Sequence, residues 1–137
     1  MRFVDTNVLL YAVSTAADER PKKERALAIL DDDQVVLSVQ VLQEFYVQAT
    51  HGGRSDRLTH EQAVALVESW LRFPVEEISL DMLRQAMATS HRWGISYWDA
   101  AIVEAARSAG CSTLLSEDLQ AGMDFAGVRV VNPFEDP

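Results

Sequence analysis

Arg2-Phe3-Val4-Asp5-Thr6-Asn7-Val8-Leu9-Leu10-Tyr11 sets the fold, because two kinds of local structure meet inside it. Arg2-Phe3-Val4 has the β-branched and aromatic character of a short strand. Asp-Thr-Asn is capping chemistry, which predicts that the strand stops at Asp5 and a helix runs over about residues 7–13. The same unit recurs outward along the chain. Gln34-Val35-Val36-Leu37-Ser38 reads as a second strand leading into a helix over 39–51, and Pro74-Val75-Glu76-Glu77-Ile78 as a weaker third. Ser112-Thr113-Leu114-Leu115 and Val128-Arg129-Val130-Val131 make a fourth and a fifth. Further helical patterns cover about 21–31, 59–73, 80–93 and 97–109. Thr59 with Gln62 forms a capping box, Pro21 suits a first helical position, and Gly94 and Gly110 sit where helices stop. Short strands separated by helices require crossover connections, so the expected class is α/β with a mainly parallel sheet covered on both faces.

The sequence holds 137 residues, 48% hydrophobic and 24% charged, which suits one domain spanning 1–137. A chain of this size buries roughly two-thirds of its unfolded surface and needs no staple. Its one cysteine, Cys111, has no partner for a disulfide and no neighbour at zinc-ligand spacing, so it reads as a small buried hydrophobe. The start Met1-Arg2-Phe3-Val4-Asp5 lacks the apolar core of a signal peptide, and no apolar run reaches the roughly 20 residues of a membrane span. A soluble, cytoplasmic protein with no membrane partner is expected. Against 21 acids stand 12 lysines and arginines, a net charge of −9. Nucleic-acid binders normally carry a basic footprint. Either the substrate is no polyanion, or the acids gather where cations sit.

In an open parallel sheet, ligands bind beyond the carboxyl ends of the strands, where the strand order reverses. Asp5 follows the first strand directly, and Asp118 lies three residues past the fourth. Glu44 is in the helix that starts as the second strand ends. Asp99 opens the very apolar helix Tyr97-Trp98-Asp99-Ala100-Ala101-Ile102-Val103. Four acids can thus converge on one edge. Each also has a purely structural explanation. Asp5 can be an N-cap, Ser96-x-x-Asp99 a capping box, and Asp118 a turn residue. Glu44 falls away from the apolar stripe Val41, Leu42, Phe45 and Ala49, which predicts solvated helix surface. The stripe Val64, Leu66, Val67, Trp70 and Leu71 reads as core or dimer surface, and His51-Gly52-Gly53-Arg54-Ser55-Asp56 as an exposed loop.

The joint pattern carries a resemblance. Val4-Asp5-Thr6-Asn7-Val8-Leu9-Leu10-Tyr11 resembles the opening of a PIN domain, and Ser38 followed by Glu44-Phe45 is similar to its second motif. Ile95-Ser96-Tyr97-Trp98-Asp99-Ala100-Ala101-Ile102 resembles the third and most specific motif. Leu114-Leu115-Ser116-Glu117-Asp118-Leu119-Gln120 resembles the fourth, and Val131-Asn132-Pro133-Phe134 a common ending. The likeness runs through essentially the whole chain, and in particular toward the VapC-type toxins of bacterial toxin–antitoxin pairs. It implies a three-layer fold with parallel strands in the order 3-2-1-4-5, which sets the first and fourth strands side by side. It further implies an endoribonuclease using Mg²⁺ or Mn²⁺, an RNA substrate, a small antitoxin partner and a homodimer. Asp5, Asp99 and Asp118 would bind the metal, with Glu44 completing the shell or orienting the nucleophile. Glu117 is an alternative ligand beside Asp118, and Asp124 an optional acid in a loop. Thr6 and Ser116 are placed to hydrogen-bond the ligands.

Phosphodiester hydrolysis needs a nucleophile from water and neutralisation of charge on the entering and leaving oxygens, which divalent ions supply. Hard cations select carboxylate oxygens. His51, His60 and His91 are scattered over expected surface, so zinc is not indicated. Part of the −9 would then belong to a cation site, while Arg20, Lys22, Lys23 and Arg25, and separately Arg54 and Arg57, offer local basic patches for RNA. A phosphatase of the haloacid-dehalogenase type also starts with an acid after its first strand, but needs Asp-x-Asp where this chain has Asp5-Thr6-Asn7. A receiver-type signalling domain needs a late lysine, and the only lysines are Lys22 and Lys23. A PIN-fold scaffold without catalysis is the remaining alternative.

Overall fold

Phe3 and Val4 of strand β1 (Arg2–Val4) are fully buried, as expected of a strand covered on both faces. β1 lies between two parallel neighbours, β2 (Val35–Ser38) and β4 (Thr113–Leu115), with Phe3 opposite Val36 on one side and Leu114 on the other. β3 (Val75–Glu76) extends the sheet beyond β2, and β5 (Arg129–Val131) beyond β4. All four pairings are parallel and the order is β3-β2-β1-β4-β5, the expected topology. The computed structural model describes residues 1–135; Asp136 and Pro137, the last two residues of the expected 1–137 domain, lie outside them.

Among the described residues six α-helices cover the sheet: α1 (Thr6–Ala12), α2 (Arg20–Leu30), α3 (Val39–Ala49), α4 (His60–Trp70), α5 (Leu80–Trp93) and α6 (Tyr97–Ser108). Their ends obey the chemistry read from the sequence. Thr59 and Gln62 bond reciprocally at the start of α4, and Gly94 closes α5 with a left-handed φ of 67° that a side chain would resist. α5 and α6 pack closely through Ala86, Ala100 and Ala101, whose small side chains let the helices approach. The remaining apolar residues form one core around Phe3, Leu37, Phe45, Val103, Leu114 and Phe125.

Two expectations need correcting. The third strand covers two residues rather than 74–78, because it is an edge strand whose half-buried Val75 and Glu76 gain little from further pairing. α4 stops at Trp70 rather than at 73: Phe73 turns into the core, and the residue before Pro74 disfavours helix. Of the apolar stripe along α4 and its end, Trp70 is buried in the core, while Val64 and Leu71 are exposed.

Candidate active site

The carboxyl ends of β1 and β4 lie side by side where the strand order reverses, and Asp5 stands there. Its backbone N–H donates to the Leu115 carbonyl at 3.0 Å, which locks the two strand ends together. Only 7% of Asp5 is exposed. One carboxylate oxygen accepts the Thr6 N–H at 2.7 Å, so Asp5 does cap α1; the other accepts the Ser116 hydroxyl at 2.7 Å, a bond no cap requires. Burial raises its pKa from 3.8 to about 6; the hydrogen bonds from Ser116 and Thr6 oppose that rise, while the charges of Glu44 and Asp118 add to it.

Glu44 departs from the wheel-based expectation. It is half-buried, and its two oxygens accept the Thr6 hydroxyl at 2.7 Å and the Gln40 side-chain amide at 3.0 Å. The wheel placed it correctly away from the α3 stripe; what occupies that side is the first turn of α1 rather than water. The Gln40 amide also donates to the Trp98 carbonyl at 3.2 Å, joining α3 to the first turn of α6. Sequence reading missed Gln40, although its position four residues before Glu44 on one helix face was an available signal.

Ser116 organises the other flank. It is fully buried, and its hydroxyl oxygen accepts the N–H groups of Asp118 and Leu119 at 3.2 Å while its proton goes to Asp5. Asn7, also missed, accepts the Glu117 N–H at 3.3 Å and donates to Ser116 at 3.4 Å. An amide therefore holds the position where a haloacid-dehalogenase-type phosphatase would need an acid. Glu117 is engaged elsewhere. It accepts bonds from Lys22 at 2.7 Å and from the Tyr11 hydroxyl at 2.5 Å. Burial alone would raise its pKa, but these bonds and the lysine charge hold it below the ordinary value. Asp124 is an exposed turn residue bonded to the Gly127 N–H.

Asp118 is exposed and Asp99 half-exposed, and among the described residues neither carboxylate takes part in a hydrogen bond or ion pair. At α6 the Ser96 hydroxyl caps the Asp99 N–H at 3.1 Å without a return bond from Asp99, so the helix end does not use the Asp99 carboxylate. Glu44 and Asp118 lie near enough to Asp5 for their charges to raise its pKa, while Asp99 directly follows Trp98, whose carbonyl Gln40 holds. As the side chains stand, no three His, Cys, Asp or Glu residues among the described ones are near enough to enclose a metal ion. The donor chemistry nevertheless fits a hard divalent cation. A buried carboxylate without a basic partner sits beside two further carboxylates, and the two unbonded acids are free to rotate.

Of the basic patches, Lys22 is tied to Glu117, Arg25 donates to the Pro133 carbonyl at 3.2 Å, Arg20 faces Glu24, and Arg54 pairs with Asp56. His51, His60 and His91 are exposed and Cys111 is buried, as expected. Glu104 is a buried acid that the sequence reading passed over. It joins Thr89 of α5 at 2.9 Å to Arg107, which also donates to the Phe125 and Ala126 carbonyls, so its role is to hold α5, α6 and the loop before β5 together.

The PIN domain profile matches residues 2–123. No curated protein matches the chain significantly. Among solved structures, a toxin–antitoxin complex from Klebsiella pneumoniae is similar at 22% identity and TM-score 0.71, covering 99% of this chain and 100% of that one. VapC20 of Mycobacterium tuberculosis, described as a sarcin-ricin loop cleaving toxin, is 24% identical with TM-score 0.67, covering 86% of this chain and 92% of that one. FitAcB from Neisseria gonorrhoeae is 20% identical with TM-score 0.66, covering 98% and 99%. At such identities the likeness to these structures concerns the fold.

Proposed function

The chain belongs to the PIN domain family, and from that membership we propose that it is a metal-dependent endoribonuclease, the toxin of a type II toxin–antitoxin pair, folded as one domain over 1–137. The observation that carries the reading is Asp5: a buried carboxylate with no basic partner, pushed to about 6, at the reversal of strand order. Burying an unpaired charge costs stability, so the arrangement calls for a cation in use. Asp5, Asp99, Asp118 and Glu44 would hold Mg²⁺ or Mn²⁺. When bound, such an ion supplies charge neutralisation on the phosphate and a more acidic water.

The chain's own part is positioning. Ser116 and the Thr6 N–H fix both Asp5 oxygens, while Thr6 and Gln40 fix both Glu44 oxygens. Two acids from different elements are thereby held before substrate arrives, which is what orientation catalysis requires. Lys22, tied to the residue before Asp118, offers an ammonium for an RNA phosphate. The expected antitoxin suits two features: a carboxylate cluster that a basic side chain can neutralise, and an apolar cleft of about 390 Å³ between α3 and α4, lined by Leu42, Tyr46, Val64, Val67 and Leu71. The similarity to a toxin–antitoxin complex supports that partner. A homodimer through exposed apolar residues and a cytoplasmic location complete the reading. Among the described residues no helix is long and apolar enough to cross a membrane.

The test is to incubate purified, partner-free protein with structured and unstructured RNAs in Mn²⁺, Mg²⁺ or chelator. Cleavage only with metal, and none by Asp5→Asn, supports the nuclease. The scaffold alternative draws on the lack of a closed three-acid cluster, and it wins if no RNA is cut in any metal while the protein remains folded.

A further inference from the structure

The three tryptophans are treated very differently. Trp70 is 4% exposed and packs edge-on against Phe45 at 4.7 Å, and Trp93 does the same against Phe125 at 5.4 Å. Trp98 is 65% exposed, more than any other large hydrophobic residue of the described chain, and its only aromatic neighbour is Tyr97 at 5.0 Å. An indole left in water at a defined place invites a ligand.

The place is defined by hydrogen bonds. The Gln40 amide that donates to the Trp98 carbonyl at 3.2 Å also donates to Glu44 at 3.0 Å, and the other Glu44 oxygen accepts the Thr6 hydroxyl beside Asp5. Trp98 immediately precedes Asp99, and behind it the run Ala100–Ala106 is buried, so the turn carrying the indole is anchored. At the far end of the same network, Ser116 accepts from Asn7, Asn7 accepts the Glu117 N–H, and the Glu117 carboxylate holds Lys22. The carboxylate cluster therefore has a fixed ammonium on one flank and a fixed, exposed aromatic on the other.

We propose that Trp98 is a nucleobase-stacking platform, which holds an unstacked base of single-stranded RNA beside the carboxylate cluster. The proposal rests on the ribonuclease reading for the identity of its ligand. A polyanion approaching three acids gains little from charge there, whereas stacking is indifferent to charge and to sequence, because every base has a π face. Removing one stacked base weakens single-strand binding by roughly five- to a hundredfold. The anchored first turn of α6 makes the platform a binding residue, separate from the acids that act on the phosphate.

The experiment uses the full chain with a mixed-sequence 2′-O-methyl oligoribonucleotide in Ca²⁺, with gels checking that the strand stays whole. Saturable quenching of the exposed tryptophan signal is expected, absent in Trp98→Phe. Trp98→Ala and Trp98→Leu should both bind roughly five- to a hundredfold more weakly, while Trp98→Tyr keeps most of the affinity, since only an aromatic face stacks. Trp98 is exposed, so all four variants should keep the parent's circular dichroism. Equal binding by Trp98→Ala, or full rescue by Trp98→Leu, overturns the proposal. So does a Trp98→Ala variant with unchanged RNA binding but altered oligomeric mass, which would make the indole a protein contact. The two readings fail separately. Absence of metal-dependent cleavage with intact stacking removes the nuclease alone, and cleavage with no Trp98 effect on binding removes the platform alone.

Discussion

Replacing Asp5 by Asn should stabilise the metal-free protein at neutral pH, and the size of the effect follows from its surroundings. A carboxyl moved from 3.8 in the unfolded chain to about 6 in the native one binds its proton more tightly when folded. The stability tied to that proton is fully present below about 3.8 and is lost as pH rises through about 6, a loss on the order of 3 kcal/mol. Asparagine carries no such charge, but it does not recover the whole amount. With its amide oxygen toward the Thr6 N–H, its NH₂ meets the Ser116 oxygen, which already accepts from Asp118 and Leu119. The Ser116 proton must then find another acceptor, at a cost of about 1 kcal/mol. A net gain of about 1–2 kcal/mol remains, a rise of roughly 3–8 °C in Tm for a domain of this size. Melts of parent and variant in chelator across about pH 4 to 7 read it directly. The gap should be widest at the neutral end and close toward the acid end, and Mg²⁺ should raise Tm of the parent more than that of the variant. If Asp5 acted only as the cap of α1, Asn would be neutral or would cost up to about 1 kcal/mol, with no widening of the gap toward neutrality. A variant that melts lower at neutral pH, or a gap that ignores pH, refutes the reasoning.

Asp99→Asn and Asp118→Asn should each abolish metal-dependent RNA cleavage, measured in single turnover, with melting temperatures within a few degrees of the parent. Glu44→Gln should reduce the rate less completely, because Thr6 and Gln40 still hold the side chain. Ser96→Ala should cost about 1 kcal/mol in urea melts, as loss of the α6 cap, and Asp99→Asn much less, because the cap bond belongs to Ser96. Lys22→Met should raise KM with little change in kcat and flatten the salt dependence of RNA binding by about one phosphate contact.

Much of this was legible because the fold repeats one local event, a short apolar strand ending in a polar residue that starts a helix. The pattern at Asp5 and at Ser38 gave β1–α1 and β2–α3 almost to the residue, and Leu80–Trp93 matched its expected bounds because cap and stop residues flank it. β3 was overestimated because hydropathy does not tell how many residues an edge strand can pair. The positions of the acids relative to one another were less readable. A helical wheel compares residues of one helix, so it left Glu44 in water, whereas Thr6 reaches it from α1. Asn7 went unnoticed for the same reason, and Gln40 and Glu104 in part: besides a neighbour on its own helix, Gln40 reaches Trp98 and Glu104 reaches Thr89, residues brought near by topology. The pairing of Lys22 with Glu117 spans 95 positions, and no local pattern encodes it.

The charge that first argued against a nucleic-acid substrate takes a different meaning once its placement is known. Six of the twelve basic residues, Arg2, Arg20, Lys22, Arg54, Arg84 and Arg107, face acids of their own chain. The exposed ones among these pairs contribute little stability, but each pair lowers the positive field a polyanion would feel. At the strand ends, Asp5, Glu44, Asp99 and Asp118 face no cation among the described residues. The negative charge at the reversal of strand order is therefore unopposed by any ion pair of the described chain. A divalent ion there would convert a repulsive part of the surface into one that attracts a phosphate. Affinity for the rest of the strand can then draw on Lys22 and on contacts that do not depend on field, and this is why the exposed indole of Trp98, whose backbone carbonyl Gln40 holds, suits the proposed ribonuclease.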